Sequence, residues 1–224
     1  MSVDITPLDI ICLHGFSQNS QILKKKLSNL IKSNQNIKLH YLDGFVSLPS
    51  ETNDAKAYWI YSKENPLDVT WTNHYDNSIY YLEDSFNSFI ELGNKIGKVD
   101  GIIGFSQGGF FADYICKMHA IGNVPFDIKF SIFISAGNFT RPGYEFDIQP
   151  SIETLHIIGE KDSIIPLELS KELSECYLNK EVFIHKGSHV IPSNSAAKNV
   201  VRNLLSKVQV DVSNVDVSNE KCDH

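Results

Sequence analysis

Apolar runs and amphipathic stretches alternate along most of this chain. "LDIICLHG" (8–15) reads as a buried strand, and Leu23, Leu27, Leu30 and Ile31 then recur at helical spacing. "IKLHYLDG" (37–44) predicts the next strand. Ile79, Leu82, Phe86, Phe89, Ile90 and Ile96 predict a long helix. "VDGIIGF" (99–105) is a strand again, and Phe111, Ile115 and Met118 mark the helix after it. Asp113 and Lys117, spaced i, i+4, are expected on that helix's exposed side. Strands at 130–136, "LHIIGE" (155–160) and "EVFIHK" (181–186) follow. Pro166 suits the first turn of a helix carrying Leu169 and Leu173. Ser193 is expected to cap the last helix, with Ala197, Val200, Val201, Leu204 and Leu205 facing inward. Six strands separated by helices predict an α/β fold of three layers, a mostly parallel sheet with helices on both faces.

Two stretches break the alternation. Residues 44–76 hold Tyr58, Trp59, Tyr61 and Trp71 without a clean period, too long for a plain connection. The loops after the strands at 130–136 and 155–160 look short, so this excursion is the expected wall of an acyl site, with Tyr58, Trp59 and Trp71 as substrate-binding residues. Residues 209–224 repeat "DVSN" and show no apolar face, so they are expected to form a polar, flexible tail behind a single domain, 1–208.

Composition narrows the classes of partner. A net charge of −7 disfavours nucleic acid, and the one lysine run, Lys24–Lys26, sits on the wet side of a predicted helix. No apolar run is long enough to span a membrane, and the first ten residues lack the features of a secretory signal. Four scattered cysteines without a CxxC pair read as thiols, Cys12 and Cys116 buried, and the simplest fit is a cytoplasmic protein. His40, His74, His119 and His224 have no carboxylate or histidine at ligand spacing, so no metal and no cofactor is expected.

Chemistry enters at "GIIGFSQGG" (101–109). Gly104-Phe105-Ser106-Gln107-Gly108 matches G-x-S-x-G between a strand and a helix, the setting of a nucleophile elbow. The plain alternative is a glycine-rich turn with a capping serine. A serine nucleophile needs a base, and the base needs an orienting acid. Asp162 lies just past the strand at 155–160 and His189 just past the one at 181–186, so all three fall at C-terminal strand edges, where open α/β sheets build their sites. Glu160 and Asp147 are the spare acids, while His156 and His185 lie within strands as packed or surface residues. The turn "LHGFSQN" nominates the Phe16 N–H, with that of Gln107, as an oxyanion hole, and His14 as a structural support for the turn.

"LHGFSQN", "GFSQGG", "GEKDSIIP" and "GSHVIP", in that order, resemble the eukaryotic FSH family of serine hydrolases over about residues 8–205. The family's fungal members and its ovarian-cancer-associated animal homologue are small α/β-hydrolases. The chain departs from many members at Ser188, where they have glycine, and at Phe45, where they have proline. The resemblance implies an esterase or thioesterase acting on small acyl esters through Ser106, Asp162 and His189. The competing class is a non-catalytic ligand-binding or scaffold protein on the same fold.

Overall fold

The computed structural model describes residues 6–219 apart from 33, 35, 52–53, 69–77 and 142. The elements run β1 (Leu8–Leu13), α1 (Ser20–Ile31), β2 (Ile37–Leu42), β3 (Val46–Ser47), β4 (Lys56–Ala57), α2 (Leu82–Ile96), β5 (Gly101–Phe105), α3 (Gln107–Ala120), β6 (Phe130–Ile134), β7 (Glu153–Gly159), α4 (Leu167–Glu175), β8 (Asn179–His185) and α5 (Ser195–Asn219). Six strands form one sheet in the order β2-β1-β5-β6-β7-β8, every neighbouring pair parallel. This is the α/β architecture that the alternating pattern predicts.

Successive residues of the central strands feed opposite cores, as the two-residue strand period requires. Ile11, Leu13, Ile102 and Phe133 join Phe86, Phe89 and Phe111 on the face covered by α2 and α3. Ile10, Cys12, Ile103, Phe105 and Ile132 join Leu23, Leu27, Val201 and Leu204 on the face covered by α1 and α5. Burial on both sides explains why β1, β5 and β6 are apolar without interruption. Edge strand β8 leaves Val182 and Ile184 exposed.

Strand order reverses between β1 and β5, since the chain first steps outward to β2 and then returns to the other side of β1. Leu13 at the end of β1 is register partner of Gly104 near the end of β5. The loops that leave these two ends must diverge, which opens a crevice at the carboxyl edge.

Several expectations need correction. Asp113 and Lys117 are buried, not exposed, because the connection from β6 to β7, without a helix among its described residues, lies across α3 instead. That connection, 135–152, is longer than its sequence suggested, and it packs Phe139, Tyr144 and Phe146 around Tyr114. Asn194, not Ser193, caps α5: its Oδ1 accepts from Ala197 N at 2.9 Å. Apart from these corrections, helix α5 runs from Ser195 to Asn219, through the point where the tail is expected to begin. Val208 is buried on that helix, Val210 is exposed, and Gln209 Nε2 donates to Asn36 O at 3.0 Å. Among the described residues no helix is long and apolar enough to cross a membrane.

Candidate active site

Ser106 stands between β5 and α3 with φ 53° and ψ −122°, a conformation that costs an L-residue about 1–3 kcal/mol. The surroundings enforce it. Ser106 N donates to Ile134 O at 3.0 Å, while Gly109 N and Phe110 N return to Ser106 O at 2.8 and 3.1 Å. A Cβ on Gly104 would meet Gly108 O at 2.3 Å, and one on Gly108 would meet Leu13 O at 2.3 Å. Glycine at both positions therefore lets strand, turn and helix close up behind the serine.

Asp162 and His189 are brought together by the continuation of the β7–β8 pairing. Glu160 N donates to His185 O at 2.8 Å and Lys161 N to Gly187 O at 3.0 Å. Beyond that zipper, His189 Nδ1 meets Asp162 Oδ2 at 2.8 Å, with the carboxylate side chain fully buried. The other oxygen, Oδ1, accepts from Ile164 N and Ile165 N, both at 2.9 Å. Burial raises the Asp162 carboxyl, but the Ile165 N–H, His189 and the Ile164 N–H more than offset it and hold it below its usual range. A carboxylate acceptor at Nδ1 places the ring proton there and leaves Nε2 free to accept. Glu160 is exposed and Asp147 is exposed on the 135–152 connection. His156 and His185 are buried in their strands, the packed rather than the surface placement.

His14 supports the turn after β1. Its Nδ1–H donates to Gly15 O at 2.8 Å, its Nε2 accepts from Gly44 N at 2.9 Å, and burial lowers its pKa, keeping the ring neutral. Gln18 N closes the turn on Gly15 O at 3.1 Å. Ser17 N and Lys56 N pair with Lys56 O and Gln18 O at 3.0 and 2.8 Å, tying the turn to β4. Among the described residues, neither Phe16 N–H nor Gln107 N–H has a protein acceptor.

A cavity of about 630 Å³ borders both turns. Ser106, His189, Phe16 and Gln107 lie on its wall, so the residues expected from three separate motifs meet there. Among the described residues no hydrogen bond joins Ser106 Oγ to the imidazole. The rest of the wall is largely apolar, and much of it comes from three segments: Trp59, Ile60 and Tyr61; Gly137–Arg141; and Ile164, Ile165 and Leu169. The last two segments were missed in the sequence, although "SIIP" just after Asp162 places two apolar residues beside a candidate site residue.

Of the aromatic residues assigned to substrate, Trp59 lines the cavity and Trp71 lies outside the described residues. Tyr58 does not line it. Its ring is fully buried between His14 and Phe111, and its hydroxyl donates to Leu42 O at 2.8 Å and accepts from His14 N at 3.0 Å. The Gln107 side chain has an unforeseen part: Oε1 accepts from Tyr58 N at 3.0 Å and Nε2 donates to Trp59 O at 2.9 Å. One amide thus fastens the excursion to the serine elbow.

The family model for the serine hydrolase FSH1 matches residues 1–201. The chain belongs to the FSH1 serine hydrolase family. Within it, Esterase OVCA2 of Danio rerio is 25% identical over 226 residues, which cover 91% of this chain and 98% of that protein. Esterase AAEL000016 of Aedes aegypti is 30% identical over 210 residues, 85% of this chain and 72% of that protein. A protein named dihydrofolate reductase from Schizosaccharomyces pombe is 27% identical over 216 residues, and the matched part of this FSH1 chain spans 47% of its length. Among solved structures, esterase PE8 shares the fold at a TM-score of 0.68 and 16% identity, covering 91% of this chain and 93% of that one. Acyl-protein thioesterase 2 of Zea mays does so at 0.65 and 16%, covering 91% and 94%.

Proposed function

We propose that this FSH1 protein hydrolyses carboxylic esters or thioesters of small acyl substrates through Ser106, His189 and Asp162. The observation that carries the reading is a strained serine at a strand–helix junction, bordering the same apolar cavity as a histidine whose Nδ1 is held by a buried carboxylate. Family membership supports it independently.

In this mechanism His189 Nε2 removes the Ser106 hydroxyl proton as Oγ attacks the acyl carbon. The carbonyl π pair moves onto oxygen, which settles between the Phe16 and Gln107 N–H groups. Each preorganised donor of this kind is worth about 2.7–4 kcal/mol in the transition state. Collapse of the tetrahedral adduct breaks the bond to the alcohol or thiol, which leaves with the imidazolium proton. Water, deprotonated by the same nitrogen, then attacks the acyl-enzyme and releases the acid and free serine. Asp162 keeps the tautomer and stabilises the cation throughout. The cavity wall at Trp59, Phe139, Ile165 and Leu169 holds the acyl chain, each buried methylene contributing about 0.8 kcal/mol.

The test is labelling by a fluorophosphonate together with turnover of acyl esters from acetyl to decanoyl. Ser106→Ala should abolish labelling and lower kcat by roughly 10⁴–10⁶ while the protein stays folded. Wild-type protein that neither reacts nor turns over would instead be a binding or scaffold protein on this fold.

A further inference from the structure

The cavity wall is largely apolar, and Arg141 interrupts it. The half-buried Arg141 borders the cavity, donates an Nη2–H to Tyr61 Oη at 2.9 Å, and lies with its Cζ 4.9 Å from the Tyr61 ring centroid. A guanidinium that lies near a ring and donates to that ring's hydroxyl is restricted in direction. It carries five N–H donors and no acceptor. Among the described residues no carboxylate pairs with it, although Asp68 and Glu172 border the same cavity. Glu172 is exposed on α4, where water screens it. Donors remain for a ligand, on a side chain already ordered before the ligand arrives.

Two contacts nearer the serine locate this group. Gln107, next to Ser106, holds Trp59 O at 2.9 Å, and the Trp59 indole meets the Phe139 ring edge-on at 5.5 Å. Tyr61 and Arg141 stand two residues further along the same two segments. Their contact is the next rung along these segments, at most about 7 Å further, the reach of two residues. A substrate with its carbonyl at Ser106 and a short chain along Trp59 and Phe139 therefore brings its far end to the guanidinium.

Building on the hydrolase reading, we infer that Arg141, oriented by Tyr61, forms a subsite for a carboxylate on the substrate. The substrate class is then an ester or thioester that bears a free carboxylate a short chain away from the scissile carbonyl. The planar fork of the guanidinium matches that group with two parallel hydrogen bonds. The carboxylate could belong to the acyl part, as in a half-ester of a dicarboxylic acid, or to the leaving group.

Two substrate pairs separate these sources. One is the 4-nitrophenyl half-ester of glutaric acid against the same ester with its free acid methylated. The other is the butanoyl ester of 4-hydroxybenzoate against its methyl-capped form. In wild type kcat/KM should favour the free acid in one pair. Arg141→Gln should lower that pair's free-to-capped ratio by about 10- to 100-fold, and Arg141→Lys should recover part of it. An unchanged ratio in both pairs overturns the subsite while leaving the hydrolase reading intact. Calorimetry needs no turnover. Glutarate, for an acyl-side carboxylate, or 4-hydroxybenzoate, for a leaving-group carboxylate, should bind wild type more tightly than its mono- or dimethyl ester and lose about tenfold or more in Arg141→Gln, whereas affinities for both acids that the substitution leaves unchanged overturn the proposal. A protein that neither hydrolyses any of these esters nor reacts with fluorophosphonate refutes the hydrolase reading, and the calorimetric comparison still decides the subsite.

Discussion

Replacing Asp113 by asparagine separates two incompatible views of one helix. On an exposed face, an i, i+4 aspartate–lysine pair contributes about 0.3–0.5 kcal/mol, and its loss would scarcely register. In the fold the Asp113 carboxylate is fully buried and accepts from Lys117 Nζ, Phe139 N and Tyr177 Oη, each at 2.7 Å. Lys117 is also buried; it donates to Phe139 O at 3.1 Å and to Asn138 Oδ1. Removing the negative partner leaves an uncompensated buried ammonium, which costs about 3–5 kcal/mol. For a chain of this length each kcal/mol moves Tm by about 2–4 °C, so Asp113→Asn should melt roughly 6–20 °C lower.

The same bonds hold both backbone polar groups of Phe139, whose ring packs against Trp59 in the cavity wall. Variants that remain folded at the assay temperature should therefore lose more kcat/KM on octanoyl than on acetyl esters. Urea denaturation of wild type, Asp113→Asn, Lys117→Met and the double variant measures the coupling directly. A single-variant cost below about 1 kcal/mol, or a coupling energy below about 0.5 kcal/mol, refutes the buried-clamp argument.

Three further outcomes are expected. Asp162→Asn should lower kcat by orders of magnitude and Glu160→Gln only slightly, since it is Asp162 that holds His189 Nδ1; assays on one ester rank them, and the reverse order would reassign the acid. Burial, with Lys180 adding to it, pushes His156 down to about 3. Its proton is thus bound by the unfolded chain but not by the folded one between about pH 3 and 6.5, and stability present above that window falls as pH drops through it, by up to about 1.4 kcal/mol per unit. His156→Phe should flatten the slope of unfolding free energy between pH 4.5 and 6.5, and an unchanged slope contradicts the burial argument. A chain ending at Val208 should keep full activity and melt within a few degrees of the complete one, because Val208 is the last buried side chain described on α5; a large drop in Tm would show that the remainder docks.

The local parts of this protein were legible in the chain. Strand and helix periods are properties of adjacent residues, so the six-strand order of elements follows from spacing alone. The serine elbow is equally local, because Gly104 and Gly108 mark a crossing of strand and helix too close for a side chain. The positions of Asp162 and His189 past their strand ends also follow, since a parallel sheet places successive carboxyl ends along one edge.

Tertiary structure decided what depends on which distant segment arrives. Tyr58 and Trp59 are adjacent aromatic residues with no distinguishing period, yet one packs between His14 and Phe111 and the other faces the cavity. Asp113 and Lys117 have the spacing of a solvated pair, and the connection from β6 to β7, together with Tyr177, takes them out of water. The same connection carries Phe139 and Arg141 to the cavity, where an apolar wall acquires a fixed positive charge. Sequence periodicity reports the face a residue shares with its neighbours. Burial, and with it the energy of a charge or a ring, is set by what covers that face.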